Sequence, residues 1–600
     1  MFERSSSMLT EMPSDSEEML AFNGVDGATG SYLVPQMTPH QLLAYTRDER
    51  PDKEHLSDLR LRFRRFSQKK RGVKEGVDPE RLDSAGWGII FAYSDQDNLQ
   101  AIKEALGKLL DRRRKQAGTL FKEFSGAAAF RPGETKTGFL ARHGVGPGPA
   151  DPEKVPYYLL IVGDPEAIPY TFQYQLDVQY AVGRIYFDTL EEYAVYASSL
   201  VGMETGQTDR PPQAVFFGVQ NQEDRSTSLC ATQLVEPLAS KLAAIEGETG
   251  WAARSIVGES ATKSALAELA GGSQTPALLF TASHGMGFPS GDPRQLPHQG
   301  ALLCGDWPGP NAWRGPIPED FYFSASDVSA EARLSGAMAF FFACYGAGTP
   351  QMDDFPHLAS RERAPIAEKA FVSRLPQRLL SHPNGGMLAV VGHVERAWGY
   401  SFAWEKAGSQ LAVFESALKR LVRGSPVGYA MEYFNERYAE LSMELLSELQ
   451  GVQFGKLIDE FALAGMWTAN NDARSYVILG DPAARLPVKQ KERTADERSE
   501  YSVSIQGRQA RTREKELRAV IGAYKNALGV YSPEETPFEW AMVHYLAANL
   551  EIELFVTVGS DADRTAAKED LEKALQSIIP EDFPQLYQEI QTKLERILNG

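Results

Sequence analysis

Two apolar runs in this chain each stop on a reactive side chain, and few folds place such runs side by side. The first, Ala277-Leu278-Leu279-Phe280-Thr281-Ala282, is followed by Ser283-His284-Gly285-Met286-Gly287. The second, Ala337-Met338-Ala339-Phe340-Phe341-Phe342-Ala343, is followed by Cys344-Tyr345-Gly346-Ala347-Gly348. Short continuous apolar runs bounded by glycine read as buried strands of a parallel sheet. In open α/β sheets the working site lies beyond the carboxyl ends of the strands. Neighbouring strands would therefore bring His284 and Cys344 together at one edge. A thiol is a weak nucleophile at neutral pH until an imidazole takes its proton or stabilises the thiolate. Gly285 lets a backbone N–H approach a substrate carbonyl, and with the Cys344 N–H it forms a candidate oxyanion hole.

A single cysteine at the end of an apolar run most often packs as a small hydrophobe. The strand-ending His-Gly is what lifts Cys344 above that background. His143-Gly144 repeats the dipeptide without an apolar run before it, and His393 is the main rival for a general base.

These residues resemble the caspase-like cysteine peptidases, the gingipain branch most closely. That family has a strand, then His-Gly, then a strand, then Ala-Cys. Tyr157 to Asp164 with Ile168-Pro169 resembles the gingipain Val-Gly-Asp strand, and Val182-Gly183-Arg184-Ile185 its later Gly-Arg strand. Gly386 to Val391 with Trp398 is similar to the strand and tryptophan beyond the nucleophile. Tyr476 to Pro482 is similar to the closing Gly-Asp-Pro segment. The matches run in order over about residues 85–490. The dyad spacing, 344 − 284 = 60 residues, is longer than in gingipains, and an insertion near 288–323 accounts for it.

The resemblance implies an α/β fold: a mostly parallel, caspase-hemoglobinase-like sheet flanked by helices, with a C-terminal all-α appendage. It implies a cysteine endopeptidase in which Cys344 attacks the peptide carbonyl and His284 manages the protons. Gingipains place the acid of their specificity pocket after the strand that corresponds to Ala214–Gly218, which makes Asp224 the candidate partner of a P1 Arg or Lys. Asp353 and Asp354 compete for that role, and Trp398 would flank the P1 side chain. Some basic-specific relatives carry an Asp two residues before the nucleophile; here that residue is Phe342. Gingipains bind calcium, but no motif here lets a site be transferred, and no cofactor is expected.

Size and charge bound the partners. The chain has 600 residues, 43% hydrophobic and 24% charged, as an ordinary globular protein has. A net charge of −18 argues against nucleic acid as the main partner. The three cysteines, Cys230, Cys304 and Cys344, show neither a C-x-x-C pair nor zinc spacing. They suit a free thiolate in a reducing cytoplasm. The start of the chain lacks the basic residues and apolar core of a signal peptide, and no run reaches membrane-spanning length. The expected partners are protein substrates and an activating protease or regulatory protein, with no membrane involved.

The chain divides into three. Residues 1–84 form a polar lead-in or regulatory arm with two basic clusters, Arg60 to Arg65 and Lys69-Lys70-Arg71, at which it could be cut. Residues 85–490 carry the peptidase-like pattern. Strands are expected at 87–91, 157–162, 181–187, 214–218, 252–257, 277–282, 337–343, 386–391 and 475–479. Helices alternate with them, one opened by the capping box Thr189-Leu190-Glu191-Glu192. Cys230 reads as core. The insertion, rich in Pro and Gly, reads as a lid or processing loop, with Arg294 and Arg314 as self-cleavage points, or as an inert surface loop. Residues 491–600 open with a charged linker and continue as amphipathic helices similar to tetratricopeptide units. That module would dock partners or merely pack. Relatives that join such helices to a caspase-like domain serve in bacterial defence. A scaffold without turnover is the alternative to the enzyme.

Overall fold

The computed structural model describes residues 23–34, 72–146, 148–206, 210–353, 365–399, 402–404, 408–409, 411–453 and 460–487. It also describes 514, 517–518, 521–522, 524–525, 528, 531–534, 536–580 and 583–599. Two compact units result, Met1–Val488 and Lys489–Gly600.

All nine apolar runs form strands, and a tenth joins them in a single sheet. In chain order these are β1 Trp87–Phe91, β2 Phe121–Phe124, β3 Tyr158–Val162, β4 Ala181–Ile185 and β5 Gln213–Gly218. They continue as β6 Ala252–Val257, β7 Leu278–Ala282, β8 Met338–Phe342, β9 Ala389–His393 and β10 Tyr476–Gly480. The spatial order is β2-β1-β3-β4-β10-β9-β8-β7-β5-β6. The added strand, β2, is an edge strand of sequence Phe-Lys-Glu-Phe, so it lacks the all-apolar signature of its buried neighbours.

Every pairing is parallel except β9 with β10. The sheet is thus two five-stranded parallel halves of opposite polarity joined at one antiparallel seam. Only β9, β8, β7, β5 and β6 direct their carboxyl ends to the edge that carries His284 and Cys344. At the junction of β4 with β10 the backbones nearly touch: a Cβ on Gly183 would lie 2.1 Å from the Gly480 carbonyl oxygen. Beside it, the buried Asp481 carboxylate accepts from Trp87 Nε1 at 3.0 Å and from Arg113 Nε at 2.7 Å. The Gly-Asp-Pro segment therefore fastens the sheet at the edge away from the dyad.

Helices cover the sheet much as the periodicity indicates. Thr189 and Glu192 make the reciprocal capping box of helix Leu190–Glu204. After β1 two helices, Gln96–Ala105 and Gly107–Ala117, meet at Leu106. Residues 365–381 hold a short strand, Phe371–Val372, and only two turns of helix, Arg374–Leu380. In the second unit, helices Pro537–Val558, Asp561–Ser577 and Pro584–Asn599 pack through Ala541, Ala548, Leu571, Ala574 and Ile590. Small residues at these contacts let the backbones approach closely. The charged stretch 491–513 lies outside the described residues. Among the described residues no helix is long and apolar enough to cross a membrane.

Candidate active site

Strands β7 and β8 pair in register, Ala282 opposite Phe342, so His284 and Cys344 leave the sheet at the same level. Gly285 is needed there for closeness rather than for turning. A Cβ on it would lie 1.8 Å from the Cys344 carbonyl oxygen. Tyr345, directly after the cysteine, has φ 58, and Glu223, directly before Asp224, has φ 54. Left-handed backbone at non-glycine residues is costly, and here it flanks two members of one cluster.

One peptide unit lies between the two dyad residues. The Cys344 thiol donates to the carbonyl oxygen of Asn23 at 3.1 Å, and the Gly24 N–H donates to His284 Nδ1 at 2.8 Å. The thiol also accepts from the Ala397 N–H at 3.2 Å. Residues 23–34 thus belong to the site rather than to a detached lead-in. Val25-Asp26 pairs parallel with Met286-Gly287. The Gly27 N–H donates to the Gly287 carbonyl at 2.7 Å, and the Ile317 N–H donates to the Gly27 carbonyl at 2.9 Å. The insertion is therefore ordered, not a bare loop. Its Trp307, Ile317 and Tyr322 enclose Val25 in a small second core. Asn221, at the exit of β5, ties it down by donating to the Cys304 and Trp307 carbonyls.

Behind the imidazole stands a carboxylate. His284 Nε2 lies 2.5 Å from Asp224 Oδ2, with both side chains fully buried. The other Asp224 oxygen accepts from the Tyr32 hydroxyl at 3.0 Å and from the Ser226 N–H at 3.0 Å. Burial alone would raise the Asp224 carboxyl. The adjacent His284 imidazole, with help from Tyr32 and Thr227, holds it below the usual carboxylate range instead. An ionised Asp224 accepts only, so Nε2 carries the hydrogen. Nδ1, which accepts from Gly24, presents its lone pair to the peptide. Cys344 has less help. Burial pushes its thiol up to about 12, against smaller lowering contributions from the Ala397 N–H and Arg396.

The chain matches no family model and no curated protein. One solved structure, described as "Structure of Protease", is similar to it at 12% identity with a TM-score of 0.39. The match covers 66% of this chain and 78% of that one.

The residues assigned to a specificity pocket fall in different places. Asp224 faces the imidazole rather than an open pocket, and both its oxygens are engaged as described. Asp353 is buried in a bidentate pair with Arg396, at 2.7 and 2.9 Å. Asp354 lies outside the described residues. Trp398 is buried, its N–H donating to Asp472 at 2.9 Å one residue beyond the backbone that touches the thiol. The rival base His393 is held by the same Asp472, at 3.1 Å. Arg294 pairs with Asp292 at 2.7 Å. Among the described residues no group of three or more His, Cys, Asp or Glu side chains is placed to hold a metal ion.

Sequence reasoning did not single out Asn23, Gly24, Tyr32 or Ser226. The signal available was the pair of turn dipeptides Asn23-Gly24 and Asp26-Gly27 around Val25, in a stretch otherwise read as polar lead-in. Cys230, read as core, is buried as such, yet its sulfur also touches the Asn23 side chain.

Proposed function

We propose that the chain is a cysteine endopeptidase in which Cys344 is the nucleophile, His284 carries the proton and Asp224 positions His284. A single observation supports this reading: thiol and imidazole grip the two ends of one peptide unit, the carbonyl that would be attacked and the amide that would leave. In a productive encounter the thiol proton passes to Nδ1, sulfur adds to the carbonyl carbon, and the imidazolium protonates the departing amine. Asp224 stabilises that imidazolium and keeps Nδ1 aimed at the bond. Backbone N–H groups of Gly285 and Cys344 serve the developing oxyanion. Water then hydrolyses the thioester. Protein substrates, and a partner-docking role for the C-terminal helices, belong to the same proposal.

The test is a thiol-directed peptidyl acyloxymethyl ketone offered to the whole chain. Labelling confined to Cys344, and lost in Cys344→Ala, is the expected result. A second reading, a caspase-like scaffold without turnover, draws on the full burial of that thiol. Absence of labelling in wild type and in a variant with the covering strand loosened, Tyr32→Phe, would favour the scaffold.

A further inference from the structure

We propose that Asn23–Gly24 is a self-processing bond of this chain, and that the site selects asparagine on the acyl side of the bond it cuts. The inference rests on the peptidase reading above and extends it to a substrate.

The Asn23 side chain occupies a pocket of its own. It is 1% exposed. Its Oδ1 accepts from the Ser226 hydroxyl, and its Nδ2 points to Cys230 Sγ at 3.7 Å. Ser226 lies on the short helix Arg225–Leu229, and Cys230 opens the wide π-helical turn that continues it to Val235. The groups that meet the side chain are therefore small and neutral. A hydroxyl and a thiol suit a carboxamide, which both donates and accepts. Neither hydrogen-bonding partner of the Asn23 side chain is a carboxylate, so a guanidinium or ammonium in its place would be a buried charge without an ion pair, which is costly.

The leaving side is equally built. From Gly24 onward the segment is held by the pairing of Val25 with Met286 and the clasp from Ile317. It is also held by the Gly315 N–H on the Thr29 carbonyl and by Tyr32 on Asp224. A cut would leave this strand in place and sever its link to residues 1–23.

The chemistry balances. The Cys344 Sγ–C bond to Asn23 forms, and the Asn23–Gly24 C–N bond breaks. The thiol proton reaches the Gly24 nitrogen by way of His284. Water then adds to the thioester, giving a fragment that ends in the Asn23 carboxylate, a restored thiol and a new amino terminus at Gly24. At rest the Gly24 N–H occupies the Nδ1 lone pair and the thiol proton points at the carbonyl oxygen. The base must first be freed by a small shift of the strand, so the intact bond and the reactive groups coexist.

Full-length wild type, Cys344→Ala, Asn23→Ala and Asn23→Arg, incubated after purification, would be followed by intact mass and N-terminal sequencing. In parallel, acyloxymethyl ketones differing only in Asn or Arg at P1 would be timed on wild type and on Tyr32→Phe. The expected result is a wild-type product beginning at Gly24, formed at a rate independent of protein concentration and absent from Cys344→Ala. Asn23→Arg should be cut about 100-fold more slowly, and the Asn probe should label Cys344 at least about 10-fold faster than the Arg probe. Equal scission in Cys344→Ala would mean spontaneous breakage at Asn-Gly and would overturn the proposal. So would labelling by the Arg probe at the same rate or faster, or no cut at residue 23 in a protein whose Cys344 is labelled; either result leaves the peptidase reading standing. If neither probe labels Cys344 in either protein, the peptidase reading itself fails, and this inference with it.

Discussion

Gly24 donates its amide hydrogen to Nδ1 of His284 at 2.8 Å, across 260 residues of sequence. That bond fixes the ring's tautomer from one side, as Asp224 fixes it from the other. It also leaves the Nδ1 lone pair of His284 occupied. The same peptide unit holds the thiol proton. The two reactive groups are thus assembled and masked by a single backbone element.

Replacing Asp224 by Asn should reduce turnover of a peptide substrate by about 10²- to 10⁴-fold while leaving the fold intact. The buried Asn could turn an N–H toward Nε2, which reverses the imidazole tautomer and removes the charge that supports the imidazolium. The effect should fall on kcat rather than KM, because Asp224 acts through His284. A loss confined to KM would count against a positioning role.

Much of this was legible in the residues themselves. The nine apolar runs marked nine of the ten strands, because strands buried on both faces leave nothing else to read. β2 escaped because an edge strand carries charges such as Lys122 and Glu123. The meeting of His284 and Cys344 at one edge was legible because both residues follow strands that pair in register. The contact of Asp224 with His284 was not, because a carboxylate in an exit loop looks the same whether it faces a substrate or an imidazole. Nor was the strand at Val25: two paired residues, anchored by backbone hydrogen bonds and one Tyr32 hydroxyl, leave almost no periodicity. The antiparallel seam between β9 and β10 is a property of chain crossing that no local pattern carries.

Tyr32→Phe should loosen the covering strand. A hydrogen bond to a charged group contributes about 1.5–3 kcal/mol, so the strand should leave the thiol about 10- to 100-fold more often. The readout is the alkylation rate of Cys344 by iodoacetamide, resolved by peptide mass from Cys230 and Cys304, which are also buried. In the wild type the reaction should be slow at pH 7 and rise with pH, because burial holds the thiol protonated up to about 12. A Cys344 that alkylates as fast as a free thiol would contradict this.

Gly285→Ala should abolish activity and lower the melting temperature. The added methyl would meet the Cys344 carbonyl oxygen at 1.8 Å and its amide nitrogen at 2.8 Å, and backbone atoms have no rotamer by which to retreat. The two strand exits must part, which separates imidazole from thiol. A variant with unchanged melting temperature and a labelled Cys344 would show that the exits tolerate more room than the packing suggests.

The helical unit should carry its own pH dependence. Glu551, 2% exposed, lies 2.5 Å from Lys525, and Lys525 lies 3.6 Å from Asp570, which accepts from His544 Nδ1 at 2.8 Å. Burial raises the Glu551 carboxyl; Lys525 lowers it, Asp570 raises it, and the net is about 7. A carboxyl raised on folding favours the folded state at low pH, and that contribution is lost as pH rises from about 4.5 through 7. His544, lowered by burial against the pull of Asp570, works in the opposite sense, and its contribution is lost as pH falls below about 6.5. The unfolding temperature of this unit, followed by calorimetry on the whole chain, should therefore fall as pH rises through about 7 toward 8.5, His544 opposing that trend only below about 6.5. Glu551→Gln should remove that fall and uncover the rise toward about pH 6.5 that belongs to His544. A wild-type profile that stays flat from pH 6 to 8.5 would mean that Glu551 reaches water more readily than its burial implies.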